Sequence, residues 1–238
     1  MLAAHSPDRP LLWDVSARAS LGSCADVRAW AASTHGVRML VHDAATCADL
    51  AEERYRAMLA ERKHDFMFID FDIPRVGVRR IVIDIFTSVC PITCANFRSL
   101  CVGDKGAGAQ TGAKLHYVGS PVHRVMHGGF FQAGDIVAGR GDQGESIYGG
   151  AFADETFDVR HSARGMVGMA AGRAHANASQ FYVTMRALPH LDTRCVAFGR
   201  VISGLGTLSL IDMAETKNQR PVQTIKIVAS GVEHSASA

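Results

Sequence analysis

Short runs of strand-forming residues recur from residue 66 onward, and their regular spacing restricts the fold more than any other feature of this sequence. The runs are rich in Val, Ile, Phe and Tyr, and glycine-containing turns separate them. Short strands at such spacing are typical of an antiparallel barrel or sandwich. The runs are residues 67–73, 78–86, 115–118, 121–126, 130–135, 165–170, 180–184, 195–201 and 223–229.

Two segments of the same region have helical spacing instead. Pro91 suits a first helical turn, where its missing N–H is not needed, and apolar residues line one face up to residue 101. A second helix is predicted at about 206–214. The pattern therefore predicts a mostly β domain with antiparallel strands and two helices, and by itself it does not separate a barrel from a sandwich.

Residues 1–62 have alternating helix and strand patterns rather than the strand-rich pattern of the remainder. We therefore place a domain break near residues 62–65. A strand at 11–15, a helix around 27–34, a strand at 37–42 and a helix from about 46 to 62 predict a small α/β extension of the form β-α-β-α. A unit of this size is marginal alone, so we expect it to depend on the remainder. It contains no recognisable chemistry, and a docking module and a plain structural extension are equally compatible with it.

The composition excludes several classes of function. Lys plus Arg number 25 against 23 for Asp plus Glu, so the net charge of +2 gives no reason to expect a nucleic-acid partner. No apolar run reaches the roughly 18 residues of a membrane span, and the N-terminus lacks a secretory pattern, so we expect no membrane association. The six cysteines form no C-x-x-C pair. We therefore expect free thiols, no metal or cofactor, and a cytoplasmic location.

One group of polar and aromatic residues could bind a ligand. Arg124, Phe130 and Gln132 have the same parity on consecutive strand candidates, so they share one face if no bulge intervenes. A cation, an aromatic ring and an amide on one face would suit a peptide, although a solvated face explains the same spacing. The sequence has no G-x-S-x-G, which argues against that class of hydrolase.

The order of several motifs resembles the cyclophilin family of peptidyl-prolyl isomerases. VHRVMHGGFFQAGD at 122–135 is similar to the family's FHR-x-x-x-x-F-M-x-Q-G-G-D. Similar agreement is found at 148–157, 168–170, 177–182, 191–192 and 196–201, where the sequence has YGGAFADETF, GMA, NASQFY, LD and VAFGRV. The resemblance runs from about residue 66 to 233, so we assign 65–234 to a cyclophilin-like domain and 1–62 to an N-terminal extension.

The resemblance implies an eight-stranded antiparallel barrel capped by two helices, with a groove that accepts a prolyl peptide. It implies rotation about X-Pro bonds in peptides or protein clients, as in assisted folding, with no cofactor. Arg124 would be the catalytic residue, and Gln132 would hold the substrate backbone. The proline pocket would be lined by Phe130, Tyr182 and Leu191, while Ala170 and Ala171 would meet the peptide backbone.

Three further substrate-binding positions depart from the family pattern. Gly129 stands where the family usually has a pocket Phe, Cys195 where it has a His, and His190 where many members have a Trp. We expect a wider, weaker proline pocket and weak or no cyclosporin binding. The resemblance thus implies an isomerase with reduced activity. The alternative is a nearly inactive module that binds prolyl peptides or a protein partner, with the extension as a second contact.

Overall fold

The computed structural model describes residues 12–14, 19–21, 53 and 65–234. The chain divides into two compact units, Met1–Arg56 and Ala57–Ala238. In the first unit, β1 (Leu12–Asp14) pairs antiparallel with β2 (Ala19–Leu21). The strand predicted at 11–15 is therefore present, and Glu53 is helical. The other elements predicted between residues 27 and 62 lie outside the described residues, and the break near 62–65 stays a prediction.

The second unit is built on one antiparallel sheet of eight strands. The strands are β3 (Asp65–Ile73), β4 (Gly77–Ile85), β5 (Arg124–Met126), β6 (Phe130–Ala133), β7 (Met166–Met169), β8 (Phe181–Thr184), β9 (Ala197–Ser203) and β12 (Lys226–His234). Their order across the sheet is β12-β3-β4-β9-β7-β8-β6-β5. Between β9 and β12 in the chain, β10 (Thr216–Lys217) and β11 (Arg220–Pro221) form a separate hairpin.

Backbone hydrogen bonds join the two edges of this sheet. Val122 N–H donates to the Ile225 carbonyl at 2.9 Å, and Gly119 N–H donates to the Ile227 carbonyl at 2.8 Å. Ile227 N–H returns a bond of 3.0 Å to the Ser120 carbonyl. The segment that leads into β5 thus pairs with β12, and the sheet curls into the predicted eight-stranded antiparallel barrel.

Two helices accompany the sheet, as predicted. Helix α1 (Pro91–Val102) packs on β3 and β12, and α2 (Leu205–Asp212) packs on β4, β5 and β6. The Phe97 ring of α1 lies 5.4 Å from that of Phe181 and 4.9 Å from that of Phe198, measured between ring centroids. These buried rings tie α1 to the strands. Within the described residues, no helix is both long and apolar enough to span a membrane.

Two details of the predicted strand pattern were wrong. Residues 115–118 form bends and a turn rather than a strand. Leu115 and Tyr117 are nevertheless buried, since the loop directs both side chains into the core. The closing strand begins at Lys226 rather than at 223 and continues to His234. The β10–β11 hairpin was not predicted, since two-residue strands carry no readable periodicity.

Candidate functional site

Arg124 is held by two side-chain acceptors at the edge of the barrel. Strand β5 pairs with β6 so that Arg124 lies opposite Gln132. The guanidinium donates from Nη1 to Gln132 Oε1 at 3.2 Å and from Nε to Gln219 Oε1 at 2.7 Å. Because a guanidinium only donates, both amides must turn their oxygens toward it. No acceptor for the Gln132 NH₂ group is found in the described part of the chain, so this group could donate to a carbonyl.

The remaining Arg124 amino group lies beside an open cavity. Among the described residues, no group accepts a hydrogen bond from Nη2 of Arg124. A cavity of about 580 Å³ is lined by Arg124, Gln132, Ala170 and Ala171. Its other walls are mostly small residues, so a peptide backbone could approach the guanidinium closely.

One aromatic ring stands next to the guanidinium, and a second ring packs against the first. The centroid of the Phe130 ring lies 5.4 Å from the guanidinium carbon of Arg124, within the range of a cation–π contact. The Phe130 and Tyr182 rings are 5.8 Å apart between centroids. Phe130 is half-buried, whereas Tyr182 is only 3% exposed. Phe130 therefore forms the accessible layer, and Tyr182 lies beneath it.

The Tyr182 hydroxyl belongs to a buried polar chain. His161 is fully buried, and its Nδ1 lies 2.8 Å from Asp192 Oδ1, while its Nε2 contacts the Tyr182 hydroxyl. Backbone and side-chain hydrogen bonds from His161 hold the pKa of Asp192 below its usual value. With Nδ1–H donated to a carboxylate, Nε2 is the acceptor for the tyrosine O–H.

Cys195 lies at the other side of the same hydroxyl. Burial raises the pKa of Tyr182 far above that of a free phenol, and a hydrogen bond with Cys195 raises it further. Burial also raises the pKa of the Cys195 thiol, which the Tyr182 hydroxyl partly offsets. Both groups are therefore neutral at pH 7.

Gly129 is buried, and the space above its Cα is already occupied. A Cβ added at Gly129 would lie 3.0 Å from the Met126 sulfur and 3.3 Å from the Met126 carbonyl oxygen. A larger residue would require Met126 to move. The Met126 thioether thus lies against the space that a side chain at position 129 would enter first. A wider proline pocket stays a prediction.

Of the remaining predicted site residues, Ala170 and Ala171 line the cavity beside Arg124, whereas His190, Leu191 and Cys195 do not. A 3₁₀ turn, Pro189–Leu191, carries the exposed His190 and the half-buried Leu191. The Cys195 N–H donates to the Leu191 carbonyl at 3.1 Å, so the turn and the thiol form one local unit. Ala170 N–H donates to the Gln180 carbonyl at 2.9 Å, which fixes the backbone at the cavity wall.

Sequence reasoning missed Gln219, His161 and Asp192. Asp192 lies within the LD motif and could have been noticed there. His161 has no partner nearby in the sequence, and the fold brings it to Tyr182. Gln219 is the last residue before β11, and the only signal for it is Asn218, a residue that favours tight two-residue hairpin turns.

Comparison with known proteins places the chain in a family. The profile described as cyclophilin type peptidyl-prolyl cis-trans isomerase/CLD matches residues 69–232. The chain is 43% identical over 213 residues to a Bos taurus protein named probable inactive peptidyl-prolyl cis-trans isomerase-like 6, an alignment that covers 89% of this chain and 68% of that one. The Homo sapiens protein of that name is 41% identical over 211 residues, with 89% and 67% covered.

A fungal relative carries a different description. Peptidyl-prolyl cis-trans isomerase cyp11 of Rhizopus delemar is 40% identical over 166 residues, which cover 69% of this chain and 49% of the fungal protein. The mammalian alignments are longer than the family match and extend outside it.

Proposed function

This chain belongs to the cyclophilin family of peptidyl-prolyl cis-trans isomerases. We propose that it binds proline-containing segments and catalyses their isomerisation with a low rate enhancement. The observation that supports the proposal is Arg124, a permanent cation held by two amide oxygens beside an open cavity of about 580 Å³. Its Nη2 has no hydrogen-bond acceptor among the residues that the structure describes. The substrates would be X-Pro bonds in peptides or protein clients.

Arg124 suits this reaction because rotation needs no bond to be broken. Amide resonance creates a barrier of roughly 20 kcal/mol to rotation about the X-Pro bond. As the bond twists, the proline nitrogen regains a lone pair that accepts a hydrogen bond. Arg124 would donate to that nitrogen and stabilise the twisted state more than either planar state. Each ~1.4 kcal/mol of such preference increases the rate about tenfold.

Gln132 and the aromatic layer would position the substrate. The free NH₂ of Gln132 would donate to a peptide carbonyl, and Ala170 and Ala171 would lie against the peptide backbone. Phe130, Tyr182 and Leu191 would contact the proline ring, with Gly129, His190 and Cys195 at the edge. The burial of Tyr182 and the filling of space by Met126 favour a shallow contact, and therefore a low rate.

A binding module is the second candidate. The mammalian relatives are named probable inactive. That description favours peptide binding without measurable rate enhancement. We propose a role in protein folding and a cytoplasmic location for either form, and the N-terminal extension as a contact for a protein partner. Weak or absent cyclosporin binding remains a prediction from His190.

Exchange NMR on a short X-Pro peptide tests the isomerase proposal. We expect the full chain to accelerate exchange between the cis and trans resonances, and Arg124→Ala to reduce that acceleration at least ~100-fold, because one preorganised donor contributes about that much. Arg79→Ala is the matched control, since Arg79 is exposed on β4 and, among the described residues, donates only to its neighbour's carbonyl.

The other outcomes separate the candidates. Peptide shift changes without acceleration would refute the isomerase and support the binding module. An acceleration that survives Arg124→Ala would show that the clamped cation is not the catalytic group.

A further inference from the structure

We propose that Gln219, in the turn of the β10–β11 hairpin, is a positioning residue that fixes the Arg124 guanidinium for the reaction. The proposal concerns a residue that the family resemblance does not single out. It deepens the proposed function, on which its effect on the reaction rate depends. Its effect on the geometry of Arg124 does not depend on that function.

The first observation is the pair of bonds that Gln219 makes to β5. Its side-chain Oε1 accepts from Arg124 Nε at 2.7 Å, and its backbone carbonyl accepts from Val125 N–H at 2.6 Å. Both are shorter than the 3.2 Å contact from Arg124 to Gln132. Gln219 therefore contacts β5 through its backbone and also contacts the side chain of the residue next to Val125.

The second observation is the unfavourable backbone of Gln219. Lys217 pairs with Arg220, so Asn218 and Gln219 are the two central residues of the hairpin. Their φ angles are +51° and +65°. Such turns favour Gly, Asn or Asp, and glutamine is a poor choice for a left-handed position. Gly, Asn or Asp at this position would cost the turn less backbone strain. The presence of a long amide side chain therefore needs a different explanation.

Reach provides that explanation. The Gln219 side chain is exposed, so burial does not account for it. Asparagine would tolerate the backbone but is one methylene shorter, and glycine has no side chain at all. Of the three, only glutamine carries an amide oxygen to the Arg124 Nε. Arg220 also donates to the Arg140 carbonyl at 2.6 Å, which fixes the hairpin to the loop at the rim of the cavity.

The consequence concerns the freedom of the guanidinium. A bond at Nε and another at Nη1 hold the group along two of its edges. Among the described contacts, Nη2 and the second N–H of Nη1 then remain to meet a substrate. If Gln219 is removed, the long Gln132 contact remains, and the side chain regains rotation about its last bonds. A misplaced donor can lower a rate by one to two orders of magnitude without affecting the fold.

Four variants of the full chain test this inference. Gln219→Gly and Gln219→Asn remove the contact and suit the left-handed backbone, whereas Gln219→Glu retains an acceptor of the same length. Asn218→Gly is the matched control, because it relaxes the neighbouring left-handed residue and leaves the Arg124 contact intact. Three quantities are measured: hydrogen exchange of the Arg124 Nε–H with water by NMR, the melting temperature, and the isomerisation rate.

We expect Gln219→Gly and Gln219→Asn to speed exchange of the Arg124 Nε–H about tenfold and to lower the isomerisation rate about tenfold, with no loss of melting temperature. Gln219→Glu should restore slow exchange, and Asn218→Gly should change neither NMR quantity. Unchanged exchange in Gln219→Gly would overturn the inference. The inference would also be overturned if Gln219→Gly and Asn218→Gly lost the same amount of isomerisation rate and both had lower melting temperatures. The rate loss would then reflect a weakened hairpin and not the lost contact with Arg124. If the unaltered protein does not isomerise the peptide, the proposed function fails alone, and the exchange measurement still decides the role of Gln219.

Discussion

At the scale of single residues, Tyr182 shows how a change beneath the site is accommodated. In the cyclophilin motif that residues 177–182 resemble, the position of Tyr182 is usually Phe. Here the added hydroxyl lies among buried groups, yet it finds the Nε2 of His161, whose Nδ1 is bound to Asp192. A buried hydroxyl without a partner would cost about 1–3 kcal/mol. The substitution is therefore tolerable only together with the His161–Asp192 pair.

The pairing predicts that restoring the family residue is harmful. Tyr182→Phe would leave Nε2 of the fully buried His161 without its donor. We expect the variant to lose about 1–3 kcal/mol of unfolding free energy in urea denaturation. Tyr148→Phe is the control, because its hydroxyl donates to the Ile92 carbonyl on the exposed surface, and it should change stability by less than about 0.5 kcal/mol. Equal stability of Tyr182→Phe and the unaltered chain would contradict this account.

At the scale of elements, α1 depends on a distant carboxylate for its N-terminus. Its N-cap residue, Cys90, makes no side-chain capping bond, and the first turn has no acidic residue. Glu155 supplies the acceptors from a loop: its carboxylate receives Ile92 N–H at 2.9 Å and both the N–H and the hydroxyl of Thr93 at 2.8 Å. A negative charge there also suits the helix dipole.

This cap predicts a measurable cost. Glu155→Ala should lower the unfolding free energy by about 1–2 kcal/mol, the usual range for a lost cap. Glu155→Gln retains one acceptor oxygen and should lose less. Asp158→Ala removes an exposed acid three residues away and serves as the control. If Glu155→Ala and Asp158→Ala were equally stable in chemical denaturation, the capping role would be refuted.

The elements also show what the sequence could predict. The helix at Pro91 and the long strands β3 and β4 were predicted because propensity and periodicity act locally there. The loop at 115–118 imitates a strand, because Leu115 and Tyr117 both point inward from backbone that only turns. The contact between Glu155 and α1 could not be predicted from local sequence patterns, since it joins residues 63 positions apart in the chain.

The candidate site divides in the same way. Arg124, Phe130 and Gln132 share a face, as their parity on neighbouring strands predicted, because β5 and β6 pair without a bulge. Their roles came from the family resemblance and remain to be tested. Gln219 could not be predicted, because it reaches Arg124 from a hairpin that lies 95 residues later in the chain.

At the scale of the whole molecule, the site lies where the barrel closes. Among the described strands, β5 has a ladder partner on one side only, β6, and it ends the sheet. Its outer side receives the Val125 bond to Gln219, while the segment before it pairs with β12. The two edges of the sheet, the β10–β11 hairpin and the face that carries Arg124 therefore meet at β5. We call this place the seam of the barrel.

Two histidines near this seam, the buried His123 and the half-buried His116, predict how the whole domain responds to acid. Burial is the largest cause that lowers the pKa of His123, with Arg220 and Arg124 adding to it and Asp135 opposing it. Burial and then Lys114 lower the pKa of His116. Both rings are therefore neutral in the fold at a pH where an unfolded chain, with an ordinary histidine pKa of 6.5, takes up protons.

Acid should therefore favour unfolding. The stability that these neutral rings contribute is fully present above pH 6.5 and declines as the pH falls through that value. We expect a falling melting temperature between pH 7.5 and 5.5, and NMR titration midpoints of His116 and His123 below 6.5. His123→Gln should flatten the decline, whereas His190→Gln, at an exposed position, should not. A melting temperature that stays level or rises on acidification would mean that burial does not keep these rings neutral, and titration midpoints at or above 6.5 would locate the error in the histidines themselves.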